Sequence, residues 1–261
     1  MPGEVHIDRP ADGVLRLAIS NPTKRNALDH AILDGITDEL ASREGVRCVV
    51  LTGRDGMFSS GYDIGEIPAE AFADEAEKLV AHPFCHALDA LEALNVPTLA
   101  ALCGATIGGG LELSLACDMR LACEHIKLGM PPAKLGLIYS HTGLRRFINA
   151  IGEPRTRELF LLGRYIDAQT ALAWGLVNWV VDEDELEATT LELATQLASN
   201  APLSMAGNKK VMRELRRAQT SLDPDVERQL IELRESSFTS EDLLEGVSAF
   251  AEKRAPSWKG R

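Results

Sequence analysis

The sequence predicts an α/β fold, and three observations carry that reading. Short apolar strands alternate with helical segments through the first half. The connections between them are brief, as expected for a buried, largely parallel sheet with crossover helices. From about Leu144 onward the pattern turns mostly helical.

Taken in order, "GVLRLAIS" (13–20) alternates as a strand and stops at the turn residues "NPTKRN". "LDHAILDGITDELASR" (28–43) repeats apolar residues at helical spacing, with Asp29 available as an N-terminal cap. "RCVVLTG" (47–53) is a short valine-rich strand running into the loop "RDGMFSSGYDIGEI". A helix is predicted over 69–94. "VPTLAALCG" (96–104) is the next strand, "GGGLELSLACD" opens a helix, and "MRLAC" (119–123) returns to strand.

Beyond these, "GLRRFINAIG", "EPRTRELFLLG" and "DAQTALAWGLV" read as helices, followed by amphipathic segments from 183 to 254. The change from strand-rich to helix-rich text puts a soft boundary near 195–200. It divides a core, residues 1–197, from a helical region, residues 198–261. Apolar stripes at helical spacing must be buried, either by folding back or against another subunit.

Composition narrows the function. The 261 residues are 45% hydrophobic and 25% charged, the profile of a soluble globular chain. A net charge of −12 argues against nucleic acid or an anionic membrane as the main partner. It leaves room for an anionic small ligand in a local basic pocket. The five cysteines form no C-x-x-C pair and have no histidine at zinc-ligand spacing, so they read as small buried hydrophobes, and no metal is expected. "MPGEVHIDRPADG" has no signal core, and no apolar run reaches the ~20 residues that span a bilayer. The expected location is the cytoplasm.

The chemistry concentrates in "CGATIGGGLELSLACD" (103–118). Gly108, Gly109 and Gly110 sit where a strand and loop feed a helix, and glycine lets a ligand approach the main chain. Unpaired N–H groups of a first helical turn point outward, and the helix dipole favours negative charge there. Such donors suit a developing oxyanion. A phosphate loop is excluded, because neither Lys-Ser/Thr nor G-x-G-x-x-G spacing is present. Glu112 follows within a turn. An exposed glutamate stabilised by the helix dipole is one reading of it; against that, Leu111, Leu113, Leu115 and Ala116 leave little room for a wet face. The loop "FSSGYDI" (58–64) has the same character, with Gly61 after a buried strand.

These stretches together resemble the crotonase, or enoyl-CoA hydratase/isomerase, superfamily. "NPTKRNALD" (21–29), "MFSSGYDIGEI" (57–67), "GATIGGGLELSLACDMRLA" (104–122), "LGLIYSHTGLRRFINAIG" (135–152), "ALAWGLVNWVV" (171–181) and "GVSAFAEKRAPSW" (246–258) follow in family order. The resemblance implies a spiral of ββα units with a C-terminal helical region. It implies assembly as homotrimers or dimers of trimers, an acyl-coenzyme A thioester as substrate, and no cofactor apart from the coenzyme A of that substrate. It carries the oxyanion hole onto the backbone N–H groups of Tyr62 and Gly109, flanked by Gly108. Lys24, Arg25, Ala27, Ser60, Asp63 and Ile64 would line the acyl-CoA crevice, and the C-terminal "EKR" (252–254) offers further contacts for the coenzyme's phosphates.

Hydratases of this superfamily resemble one another in having a second glutamate, in a P-E-x-x-x-G segment. Here "GMPPAKLGLIY" (129–139) puts Pro132 at that position, which casts doubt on two-carboxylate hydration. The proline, Tyr139 after the Leu135-Gly136 pair and "SEDLLEGVSAFAEKR" (240–254) resemble the methylmalonyl-CoA decarboxylase branch. Tyr62 departs from it, standing where those enzymes carry histidine. The leading expectation is therefore decarboxylation of a malonyl-type thioester through an enolate. In that scheme Tyr139 holds the substrate carboxylate, and Glu112 or His141 supplies a proton. The alternatives are an enoyl-CoA hydratase/isomerase working with one glutamate, and a non-catalytic acyl-CoA-binding subunit.

Overall fold

The computed structural model describes residues 2–42, 44–63, 83–219 and 222–261. Its main sheet has six strands in the order β1-β2-β3-β4-β6-β9, and a second sheet has three, β5-β7-β8. The first hairpin pairs β1 (Glu4–Ala11) antiparallel to β2 (Val14–Ser20). From β2 the sheet runs parallel through β3 (Cys48–Gly53), β4 (Thr98–Leu102), β6 (Met119–Cys123) and β9 (Trp179–Val181). β4 is buried along its full length, as a parallel strand covered on both faces should be.

Helices cross between these strands. α1 (His30–Ala41) starts where Asp29 accepts the Ile32 N–H, and it buries Ile32, Leu33, Ile36 and Leu40. α2 (Cys85–Ala93) buries Ala87, Leu88 and Leu91. The predicted helix at 69–94 coincides with α2 at its end, and its residues 69–82 lie outside the described residues. α3 (Gly109–Leu115) follows β5 (Thr106–Ile107) and is buried throughout.

Four short strands escaped the sequence reading: β5, β7 (Lys127–Gly129), β8 (Tyr165–Asp167) and β9. Two or three residues are too few to display a period. β1 escaped for a different reason. It is an edge strand of mixed exposure that holds Pro10, which edge positions tolerate.

The helical second half begins with α4 (Pro132–Leu135) and α5 (His141–Leu162). α5 breaks at Gly152, whose φ of 76° leaves the helical region, so the two predicted segments meet at that kink. α6 (Ala168–Trp174) is capped by Asp167 and ends on Gly175. α7 (Leu186–Ser199) packs on the outer face of the main sheet, where Ala194 and Ala198 join Val14, Cys48, Val50 and Ala101. α8 (Pro202–Gln219) has no buried residue, whereas α9 (Pro224–Phe238) and α10 (Glu241–Glu252) fold back toward the core. A Cβ on Gly246 of α10 would lie 2.4 Å from the Leu135 carbonyl, so only glycine permits that approach to α4.

Cys48, Cys117 and Cys123 are buried, and Cys85 and Cys103 partly so; all five are free thiols. Burial pushes the Cys48 and Cys117 thiols up to about 12, which keeps them inert. Among the described residues no cluster of His, Cys, Asp or Glu is suited to hold a metal ion, and no helix is long and apolar enough to cross a membrane.

Candidate active site

Two glycine-containing bends meet at one place. Gly61 has φ of 100°, and a Cβ there would lie 3.1 Å from the Ile107 carbonyl and 3.4 Å from the Gly109 nitrogen. The close approach explains the glycine. Register fixes where the amides aim. Leu28 donates to the Gly61 carbonyl and accepts from Asp63, so in this parallel bridge Tyr62 turns its own N–H away from Leu28. Gly109 opens α3 directly after Gly108, whose N–H goes to the Gly129 carbonyl. As a first-turn residue Gly109 has no intrahelical acceptor for its N–H. Among the described residues neither amide is spent on a backbone turn or loop partner.

The Tyr62 ring closes this corner. A Cβ on Gly109 would lie 2.7 Å from Tyr62 Cε1, and the ring meets Phe84 edge-on at 4.8 Å between centroids. Burial and the nearby Glu112 charge push the Tyr62 phenol well above its ordinary range, so it stays neutral.

Glu112 is the centre of the site. It is only 2% exposed, so the reading as a solvated first-turn glutamate fails. Its neighbours explain how a carboxylate survives burial: Tyr139 Oη donates to Oε2 at 2.5 Å, and Arg146 Nη1 donates to Oε1 at 2.9 Å. Burial pushes Glu112 above the ordinary carboxylate range, and Arg146 and Tyr139 pull it partly back. Tyr139 is held from behind by Phe160 at 5.3 Å, and Phe160 by Phe147 at 5.0 Å. Burial and Glu112 raise the Tyr139 phenol, which remains a donor.

The other candidate residues fall into two groups. Lys24, Arg25, Ala27, Ser60 and Asp63 lie along one rim. Lys24 Nζ pairs with Asp63 Oδ2 at 2.9 Å, Ser60 Oγ donates to the Lys24 carbonyl, and the Ser60 N–H donates to the Arg25 carbonyl. Arg25 takes a left-handed backbone at φ 55°, and Ala27 is buried. Asn26 stitches this rim with bonds to the carbonyls of Arg54 and Met57. Ile64 lies outside the described residues. Pro132 is buried at the start of α4, shortly after Gly129. Leu135 backs onto α10, and His141 Nε2 lies 3.2 Å from Glu227 Oε1 on α9. Arg254 of the C-terminal stretch pairs with Glu245 and Glu252.

Sequence reasoning missed Arg146 and Glu92. Arg146 reaches Glu112 from α5, and its Nε donates to Glu92 Oε1 of α2 at 2.8 Å. "GLRRF" signals only a basic helix start; nothing in it names a buried carboxylate partner.

Fold and site together define an α/β protein in which two glycine-containing bends meet beside a buried glutamate held by Tyr139 and Arg146. The family model described as enoyl-CoA hydratase/isomerase matches residues 9–261. The chain belongs to that family and is an acyl-CoA enzyme of the crotonase superfamily. It is 33% identical to the 2,3-dehydroadipyl-CoA hydratase of Escherichia coli (strain K12), covering 95% of this chain and 96% of that protein. It is 34% identical to the carnitinyl-CoA dehydratase of Salmonella arizonae, covering 95% of each. Among solved structures it is similar to methylmalonyl-CoA decarboxylase in complex with 2-nitronate-propionyl-CoA. That likeness has a TM-score of 0.89 at 29% identity and covers 99% of each chain.

Proposed function

We propose that this chain adds water to, or removes it from, an acyl-CoA thioester through an enolate, with Glu112 as the one acid–base carboxylate. The observation that carries this reading is the buried Glu112, within a turn of the Gly109 amide and raised above the ordinary carboxylate range. A carboxyl shifted toward neutrality suits a group that takes a proton in one step and returns it in the next. The Tyr62 and Gly109 N–H groups would receive the thioester oxygen. Water would add at the β-carbon, its proton would pass to Glu112, and the same proton would return to the α-carbon of the enolate. The hydratase and dehydratase names of the relatives favour this chemistry over the decarboxylation expected from local motifs.

Decarboxylation is the second reading, favoured by Pro132 and by the likeness to methylmalonyl-CoA decarboxylase. Loss of CO₂ needs no general base, only an oxyanion hole and an oriented C–C bond. Separate incubations with crotonyl-CoA and methylmalonyl-CoA test both. Hydration lost in Glu112→Gln supports the first reading, and propionyl-CoA formation supports the second. Tight acyl-CoA binding with neither product leaves a non-catalytic binding subunit.

The rim from Lys24 to Asp63 would take the coenzyme's phosphates, with coenzyme A serving only as part of the substrate, and the enzyme would act in the cytoplasm. Residues 198–261 would mediate self-association as a homotrimer or dimer of trimers. Leu203 is 90% exposed and Phe250 69%, apolar surface of the kind subunit contacts cover. Light scattering of the purified protein measures the state directly; a monomer ends that proposal.

A further inference from the structure

Arg146 is itself held. While Nη1 donates to Glu112, Nε donates to Glu92 Oε1, and Nη2 stands 3.7 Å from Asp89 Oδ1. Glu92 is gripped in turn from α8: Arg216 Nη2 lies 3.0 Å from its Oε2, and Arg213 Nη1 donates to its main-chain carbonyl at 3.1 Å. Three helices thus meet on one carboxylate. A cavity of about 600 Å³ opens beside this junction, under α8. Its other cations are spent inside the protein. Lys209 bonds Asp118 and the Val96 carbonyl, and Arg120 bonds the carbonyls of Leu176, Ser114 and Cys117. The cavity is a junction of ion pairs and not an open anion site.

We propose that Glu92 is a positioning residue for Glu112, acting through Arg146, and that α8 sets its grip through Arg216. The proposal rests on Glu112 being the acid–base group. A guanidinium is a rigid planar fork, so an acceptor on Nε fixes the plane in which Nη1 points. With Oε1 on Arg146 and Oε2 on Arg216, the Glu92 carboxylate cannot turn freely, and neither can the fork it holds.

The charge around Glu112 separates this role from a plain field effect. Arg146 favours the ionised carboxyl by charge and Tyr139 by hydrogen bonding, whereas the Glu92 charge opposes ionisation. Tyr62 and Cys85 are kept neutral by burial, and Arg234 adds positive charge nearby. Deleting Glu92 as a mere charge would therefore lower the Glu112 midpoint. Deleting it as a positioner releases Arg146 and raises the midpoint.

The test is infrared titration of the ligand-free protein, following the carboxyl band that disappears in Glu112→Gln. This readout does not depend on turnover, so an inactive enzyme would not obscure it. Glu92→Ala should move the midpoint up, in the direction of Arg146→Met. In the Arg146→Met background it should no longer raise it, leaving only the small downward effect of the lost Glu92 charge. Glu92→Gln, which keeps an acceptor for Nε, should restore the Arg146 pairing and move the midpoint below that of Glu92→Ala. Arg216→Gln, at a half-exposed position that puts folding at little risk, should shift it up by a smaller amount. A downward or absent shift in Glu92→Ala, or no shift in Arg216→Gln, overturns the proposal.

Discussion

The Tyr139 hydroxyl donates to Glu112 Oε2 at 2.5 Å, joining the loop before α5 to the buried helix α3. The bond favours the ionised carboxyl, so removing it has a defined sign. In Tyr139→Phe the Glu112 midpoint should rise, and the acid limb of kcat/KM should move to higher pH. Stability should fall by about 1 kcal/mol, the usual net worth of one hydrogen bond. An unmoved acid limb would show that the pair does not control the proton.

Glu112→Gln keeps the shape and removes the proposed base. Positioned proton transfer typically contributes about 10²–10⁴-fold, so kcat should fall by that amount with little change in substrate affinity. A variant that retains wild-type turnover would remove Glu112 from the chemistry. Steady-state kinetics on crotonyl-CoA make the comparison.

The raised carboxyl also makes folding pH-dependent. The folded state holds the Glu112 proton to higher pH than the unfolded chain does. Its contribution to stability is full below the ordinary carboxylate range and is lost as pH rises through the folded value. Urea midpoints of the wild type and Glu112→Gln, compared across that window, should diverge, with the wild type losing relative stability at the higher pH. Parallel curves would contradict the shift.

Gly109 faces the Tyr62 ring with no space for a methyl group, since a Cβ would stand 2.7 Å from it. Because Phe84 supports that ring, Gly109→Ala should displace the 58–63 loop and turn the Tyr62 amide off its target. One lost oxyanion donor costs about 10²–10³ in kcat. Activity should drop by that order, and the overpacked corner should also cost about 1–3 kcal/mol of stability. An unaffected kcat would mean that the two amides do not act together.

Asp118 closes the glycine-led segment with a structural task. It accepts from the Thr98 N–H at 2.7 Å, from Thr98 Oγ1 at 2.9 Å and from Lys209 Nζ at 2.5 Å. Thr98 is fully buried at the start of β4, so Asp118→Ala leaves its donors unsatisfied. A loss of about 1–3 kcal/mol is expected in chemical denaturation. The per-site turnover of the folded fraction should stay unchanged, because Asp118 lies beyond the C-terminal end of α3, away from Gly109.

Much of the fold was legible in the sequence because local rules wrote it. Asp29 caps α1, Asp167 caps α6, Gly152 interrupts α5, and β6 spans the stretch read as strand. The decarboxylase expectation leaned on two site positions, Pro132 and Tyr139, and on the stretch 240–254. It carries less weight now that relatives with hydratase and dehydratase names cover 95% of the chain.

The sequence by itself determined the α/β alternation, the glycine bends at Gly61 and Gly108–Gly110, and the presence of one acidic side chain among leucines. These follow from backbone sterics and short-range periodicity, which neighbouring residues encode. The tertiary structure alone decided what that carboxylate faces. Arg146 lies 34 positions from Glu112 and 54 from Glu92, and no local pattern specifies which helix will carry a cation to a buried acid. Their pairing exists because α2, α3 and α5 pack together. There, away from water, an unpaired charge is too costly to survive.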